Sequence, residues 1–201
     1  MTDISTPLGQ HRLSKSELEA AARTNAEAYM GYPLMDALFA HYDLRSLERL
    51  WRGSIASYGS RLIALADGPD VNAVSLWLPP NSGTSQVLPF LANGGFGLSP
   101  ATWMKLMRYE SYAEAMMKRN TQGDCWYLFD LAVRPSCQGK GHAGRQLRPM
   151  LEIIREQGSS CWLETHDPAN VGLYEHFGFR LAETGTVSGS DVAHFGMLFN
   201  G

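Results

Sequence analysis

The stretch VRPSCQGKGHAGRQL, residues 133–147, sets Gly139, Gly141 and Gly144 at G-x-G-x-x-G spacing behind an apolar run. A loop that winds from a strand into a helix gathers backbone N–H groups at the helix N-terminus. The first four of these have no intrahelical acceptor, and the macrodipole is positive there. Such a place holds a phosphate or pyrophosphate without needing a cation. Glycine lets the anion approach the main chain with no Cβ in the way. Two carboxylates add a second kind of chemistry. Asp130 and Glu164 lie in or at the end of the apolar runs CWYLFDLAV and SCWLETH. A carboxylate is seldom placed there without a partner or a task, because an unpaired charge is costly to bury.

These residues need a scaffold, and the rest of the chain supplies its pattern. Ser14 and Glu17 form a capping box ahead of LEAAARTNAEAYM, which predicts a helix over about 15–30 with Leu18, Ala21, Ala22, Asn25 and Tyr29 on one face. GYPLMDALFAHY turns at Gly31 and Pro33 into a short helix. Asp43 then caps a second long one, in which Leu44, Leu47, Leu50, Trp51 and Ile55 recur at helical spacing. RLIALA and NAVSLWL flank the turn DGPD and read as an antiparallel hairpin. Pro79 to Pro100 is rich in breakers and reads as an irregular excursion. Ser99 and Pro100 open a helix through about Lys118. CWYLFDLAV reads as a central strand buried on both faces. A helix follows the glycine loop to about Gln157, with Gly158 as its C-cap. SCWLETH is a further buried strand. Asp167 and Pro168 begin a short helix that Gly178 ends, and strands around FRLAETGTV and VAHFGMLF finish the chain.

At 201 residues, with 44% hydrophobic and 18% charged residues, the chain reads as one globular domain, 1–201. Its net charge of -3 argues against a nucleic-acid binder, which shows a concentrated basic face. Cys125, Cys137 and Cys161 are odd in number and share no metal-ligand spacing, so they read as reduced thiols and no metal is expected. MTDISTPLGQHR has no apolar signal-peptide core. No apolar run approaches the roughly 20 residues of a membrane span. A cytoplasmic protein is the expectation.

The glycine spacing also fits a dinucleotide fingerprint, with Glu164 at about the separation needed to bind ribose hydroxyls. Three features weigh against a dinucleotide-dependent oxidoreductase. RPSCQ separates the strand from the first glycine and Pro135 stiffens it, the motif comes late in the chain, and the hairpin upstream demands antiparallel pairing. This remains the least favoured reading.

Gln138-Gly139-Lys140-Gly141-His142-Ala143 fits the [RQ]-x-x-G-x-[GA] acyl-CoA loop, and LETHDPANVGLYEHFGF repeats Asn-x-x-x-Tyr-x-x-x-Gly-Phe at Asn170, Tyr174, Gly178 and Phe179. On these motifs residues 125–180 resemble the GNAT N-acetyltransferases. Weaker similarity in AEAYMGYP, LIALADG, AVSLWLPP and WYLFDLAVRPSCQGKG follows the layout of the puromycin N-acetyltransferase-like members. The resemblance implies an α/β (α+β) GNAT fold: a mixed, mostly antiparallel sheet flanked by helices, with two central parallel strands splayed apart. It implies acetyl-CoA as cofactor. The backbone of Leu131, Ala132 and Val133 would hold its pantetheine arm, and a backbone N–H there would polarise the thioester carbonyl as an oxyanion hole does. Gln138, Gly139, Lys140, Gly141, His142, Ala143 and Gly144 would carry the pyrophosphate, and Asn170 would touch the cofactor from the next helix. His142 is expected as an exposed loop residue.

Tyr174 is the expected general acid. Tyrosine, at about 10, stays protonated beside a thiol of about 8.5. Glu164 is the first candidate for the base and Asp130 the second, with His166 and Tyr29 behind them. Tyr29, Tyr32, Phe39, Trp77, Phe90, Phe96 and Trp103 are aromatic candidates for an acceptor pocket built by the early helices and the excursion. The expected function is acetyl transfer to a primary amine of a small molecule by direct attack in a ternary complex, since no serine or thiol is set up for a covalent step. The alternative from another class is an acyl-CoA-binding sensor without turnover. A homodimer is left open.

Overall fold

The computed structural model describes residues 10–123 and 125–201. The signal-peptide reading rests mostly on residues 1–9, which lie outside that range. The strands are β1 (Gln10–Arg12), β2 (Ile63–Asp67), β3 (Ala73–Leu78), β4 (Cys125–Val133), β5 (Ser160–Thr165), β6 (Arg180–Thr186) and β7 (Ala193–Asn200). They form one seven-stranded sheet in the order β1-β2-β3-β4-β5-β7-β6. Every neighbouring pair is antiparallel except β4 and β5. The helices are α1 (Leu18–Ala28), α2 (Pro33–Leu38), α3 (Leu44–Tyr58), α4 (Val87–Ala92), α5 (Pro100–Asn120), α6 (His142–Glu156) and α7 (Pro168–His176). This is the mixed, mostly antiparallel sheet flanked by helices that the motifs imply, and it is unlike a doubly wound parallel sheet. Among the described residues no helix is long and apolar enough to cross a membrane.

Alternation along β2 shows how the two faces are covered. Ala66 belongs to a core with Ala22, Leu47, Leu50 and Leu76, under α1 and α3. Ile63 and Leu65 belong to another with Leu147, Met150, Leu151 and Ile154 of α6. The hairpin read from these runs and their turn is present, and successive residues of β2 serve two helical layers.

The sheet opens at its centre. β4 and β5 pair only at Cys125–Tyr127 with Ser160–Trp162. Beyond Tyr127 the two strands part, and the β5-facing edge of β4 is left without a strand. A bulge in the β3–β4 ladder accompanies this: Leu76 faces Asp130 while Trp77 faces Leu128, so Phe129 is the extra residue. A bulge bends its strand and re-aims side chains. Here Leu128 joins the core under α6, whereas Phe129 packs on the α1–α3 side and Asp130 is bonded by α1.

Three expectations need correction. β4 is not buried on both faces; its residues alternate between half-buried and buried along its whole length, including Cys125 and Tyr127 where β5 pairs with it. The excursion is not wholly irregular, since α4 lies within it. That helix is fixed by tertiary bonds, Gln86 N–H to the Ser57 carbonyl at 2.9 Å and Arg52 Nε to the Asn93 carbonyl at 2.8 Å. β1, the three residues QHR, carries no apolar signal and exists through its pairing with β2. The Ser14–Glu17 box is present, but it caps a short 3-10 turn that leads into α1.

Candidate active site

The glycine loop ends where α6 begins. Gly139 and Gly141 have φ of +72° and +78°, left-handed conformations that side-chain-bearing residues seldom adopt. A Cβ at Gly139 would meet open space, so there the backbone angle is what demands glycine. The first helical bond runs from Arg145 N–H to the Gly141 carbonyl at 3.1 Å. Among the described residues no acceptor is bonded by the N–H groups of residues 139–144. A row of donors at a helix N-terminus is thus left for an external anion.

His142 is not the exposed loop residue expected of it. Its side chain is 12% exposed, and its Nδ1 lies 2.7 Å from Asp67 Oδ2 at the end of β2. Arg145 Nε donates to the same oxygen at 2.9 Å. The loop is thereby pinned from below by a carboxylate 75 residues away, a partner with no local signal. Lys140 also turns away from the anion position, donating to the Ser136 carbonyl at 2.8 Å.

Loop, splay and α7 enclose a cavity of about 900 Å³. Most of the residues singled out by sequence meet in it. Leu131 and Val133 come from β4, Gln138, Gly139, Gly141, His142, Ala143 and Gly144 from the loop, and Asp130, Glu164, Asn170 and Tyr174 from around the splay. Lys140 and Ala132 are the two that do not line it; Ala132 is buried at 1% exposure. Gln138 donates to the Val133 carbonyl at 3.3 Å and so closes the turn out of β4.

Tyr174 is buried, and among the described residues its hydroxyl has no hydrogen-bond partner. Burial first, then the nearby Tyr32, Asp130 and Cys161, push its ionisation well above the ordinary value. It is a phenol at any neutral pH. Asp130 is buried with both oxygens engaged, Oδ1 accepting from the Tyr29 hydroxyl at 2.7 Å and Oδ2 from Asn25 at 2.8 Å. Burial outweighs these bonds and pushes its carboxyl up to about 7. Glu164 accepts from the Tyr127 hydroxyl at 2.7 Å and from the Trp162 indole at 2.5 Å. Burial again dominates and pushes it up to about 7. Both carboxyls can therefore change charge near neutrality.

A chain of hydroxyls supports α7. The Tyr32 hydroxyl accepts from His166 N–H at 2.8 Å and lies 3.0 Å from Thr165 Oγ1, which accepts from Asn170 at 3.3 Å. His166, an outside candidate for the base, points elsewhere. Its Nε2 meets His194 Nδ1 at 3.0 Å, and its ring packs on Tyr109. Burial, then His194, lowers it to about 3. Tyr29 is committed as a donor to Asp130.

The aromatic candidates divide. Tyr29 and Tyr32 line the large cavity, whereas Phe90 and Trp103 line a small one between α3, α4 and α5. Phe39 and Trp77 are core residues, and Phe96 is 78% exposed on the surface. Sequence reasoning missed Tyr127, Thr165 and Glu110. A signal for Glu110 was available: it shares a helical stripe of α5 with Trp103, Leu106 and Ala113, where an apolar residue is the default.

Residues 107–179 match the model of the Acetyltransferase (GNAT) family, a segment that runs from within α5 through β4, the loop, β5 and α7. An uncharacterized N-acetyltransferase of Schizosaccharomyces pombe is 25% identical, over 84% of this chain and 72% of its own. Arylalkylamine N-acetyltransferase 2 of Aedes aegypti shares the fold at a TM-score of 0.68 with 12% identity, covering 95% of this chain and 97% of that one. The PaiA N-acetyltransferase of Thermoplasma acidophilum, solved in complex with coenzyme A, shares it at 0.57 with 14% identity, over 96% and 98%. The splayed sheet, the open donor row and the matched segment coincide, and with the N-acetyltransferase relative they mark the chain as an acyltransferase that resembles the GNAT family over residues 107–179.

Proposed function

We propose that the protein, read as a single domain over residues 1–201, uses acetyl-CoA to acetylate a primary amine of a small molecule, by direct attack in a ternary complex. One observation carries this reading: unengaged N–H groups of residues 139–144, the unpaired edge of β4 and the free Tyr174 hydroxyl all border one cavity. Coenzyme A suits these residues. Main-chain donors at the start of α6 would take its pyrophosphate, the open edge of β4 at Leu131, Ala132 and Val133 would take its extended arm, and Asn170 would bound it from α7. Acetyl-CoA would supply an activated acyl carbon and a thiolate leaving group.

The remaining work falls to side chains. As the C–N bond forms and the C–S bond breaks, the amine sheds a proton and the departing sulfur needs one. Glu164, ionised above about 7, takes the first at its carboxylate, directly or through water. Tyr174 donates the second from its hydroxyl. Burial that raises the tyrosine raises a thiol formed in the same cavity too, so donor and acceptor stay matched. Asp130 is the second candidate for the base, although its two donors already hold its charge.

A small amine as acceptor is supported by the name of the Aedes aegypti neighbour and by the puromycin N-acetyltransferase-like layout of the chain. The cytoplasm is the proposed compartment, in keeping with three free cysteines. A homodimer is a proposal for sedimentation to test.

The deciding experiment is thiol release from acetyl-CoA against a panel of aminonucleosides, polyamines, arylalkylamines and peptide N-termini, alongside calorimetry with acetyl-CoA and with a nicotinamide dinucleotide. Amine-dependent thiol release and heat from acetyl-CoA alone are expected. Binding of acetyl-CoA with no thiol release from any amine would favour the sensor reading instead.

A further inference from the structure

On the far side of the splay from the glycine loop, α3, α4 and α5 enclose a second cavity of about 50 Å³. A water needs about 10–15 Å³ of such space, so the cavity admits a small head group and not a whole substrate. Tyr58, Phe90, Trp103 and Phe129 contribute rings to its wall, Ser54, Ser57 and Ser85 hydroxyls, and Glu110 the only carboxylate among the described residues. Phe129, the bulge residue, also lines the large cavity and so stands as the partition between the two. The outer rim is apolar: Val87 and Met107 line the cavity and are 48% and 36% exposed.

Glu110 is half-buried, and among the described residues it makes no hydrogen bond and no ion pair. Among the described residues no cation pairs with it. Lys118 is paired with Glu114, and Arg61 is spent on the carbonyls of Ser57, Tyr58, Ser82 and Thr84. Its negative charge helps raise Tyr58 in the same cavity and Tyr127 and Glu164 beyond Phe129. Burial, then the nearby Glu114, pushes the Glu110 carboxyl up to about 7, so a cation bound in use would favour its charged form. Tyr58, Trp103 and Phe129 are aromatic, and the face of such a ring attracts an ammonium. Aromatic and apolar walls around a single acid select against anions and against polar neutral molecules alike.

We propose that this cavity is the acceptor entrance and that Glu110 positions the ammonium head of a cationic amine with an apolar or aromatic body. The proposal rests on the acetyltransferase reading above and names the substrate class for it. The head group would sit at Glu110 with the body against Val87, Trp103 and Met107. Passing Phe129 would bring the nitrogen toward Glu164, where it can lose its proton. Glu110 is thus a positioning residue that sets specificity, apart from the residues that touch the acyl group.

The test compares wild type with Glu110→Gln and Glu110→Asp, using 2-phenylethylamine and ethylamine as acceptors. A hydrogen bond to a charged group is worth roughly 1.5–3 kcal/mol, so Glu110→Gln should raise the KM for 2-phenylethylamine about 10- to 100-fold. The KM for acetyl-CoA and kcat at saturating amine should stay within about twofold of wild type, and Glu110→Asp should recover part of the loss. Calorimetric titration of 2-phenylethylamine should weaken in parallel. Ser54→Trp, at the cavity wall on α3, should raise the KM for 2-phenylethylamine more than for ethylamine, which keeps the test sound should Glu110→Gln fold poorly. An unchanged amine KM in Glu110→Gln, with wild type active, overturns this inference and leaves the acetyltransferase reading standing. No turnover of any amine, with acetyl-CoA still bound, would sink both.

Discussion

On the α6 and α7 side of the splay the groups free to bind are main-chain N–H donors and a strand edge. On the α3, α4 and α5 side they are side chains, Glu110, Tyr58 and Phe129, delivered by three separate elements. The donors of the first side come from one contiguous stretch of chain; the second is narrow and assembled from elements far apart in sequence. Backbone donors present the same face whatever side chains surround them, so they suit a cofactor moiety that does not vary. Side chains can be exchanged one at a time, so they suit an acceptor that differs from enzyme to enzyme. The contrast predicts that substitutions on the two sides break different parameters.

Tyr174 stands where the two sides meet and should give the largest effect. Tyr174→Phe is expected to lower kcat by about 10²- to 10⁴-fold, the range for loss of a general acid. Its acetyl-CoA affinity, read by calorimetry, should hold within about twofold. A variant that turned over normally would remove the proton donor from the scheme.

Gly141→Val tests the backbone side. A β-branched residue at φ +78° costs about 1–2 kcal/mol and re-aims the adjoining N–H groups. Acetyl-CoA binding should weaken about 10-fold, following the factor of ten per 1.4 kcal/mol. The amine KM should be unaffected.

The carboxyls sharpen the contrast through pH. Activity with a fixed amine should rise as pH passes about 7, where Glu164 loses its proton, and Glu164→Gln should flatten that rise. Stability should move oppositely. Folded Asp130 and Glu164 keep their protons to about 7, whereas the unfolded chain releases them near the ordinary values of 3.8 and 4.5. Between those limits the folded state binds more protons, so stability falls as pH rises from about 4 to 7. Urea midpoints at several pH values would show this, and Asp130→Asn should remove part of the slope. A rising midpoint over that window would contradict the burial of both groups.

The smallest effect is expected at Phe96. Its ring is 78% exposed, so Phe96→Ser should change stability by no more than about 0.5 kcal/mol. Neither KM should respond. An amine KM that did would return this aromatic to the acceptor site and undo the division drawn above.

Much of the framework was legible because its signals are local. Asp43, Ser99 and Asp167 announce helices through caps that satisfy N–H groups within three residues. The DGPD turn announces the β2–β3 hairpin. What escaped depends on distant partners. β1 and α4 carry weak propensity and exist through pairing and packing, and the parting of β4 from β5 beyond Tyr127 leaves no pattern within either strand. At the site, Asp130 and Glu164 could be flagged as misplaced charges, yet Asn25, Tyr29, Tyr127 and Trp162, which hold them, could not be assigned to them. His142 was misjudged for the same reason, since Asp67 is its anchor.

The chain order alone determined that an anion could be received after Val133, because glycine conformations and the unfilled donors of a helix start depend only on neighbouring residues. Tertiary structure decided where that anion's remainder would lie and what would meet it. The parting of β4 from β5, the bulge at Phe129 and the approach of Glu110 toward Glu164 all arise from contacts between elements far apart in sequence. The physical reason is range: backbone geometry is set within a turn, whereas burial, charge coupling and cavity shape are properties of the packed whole.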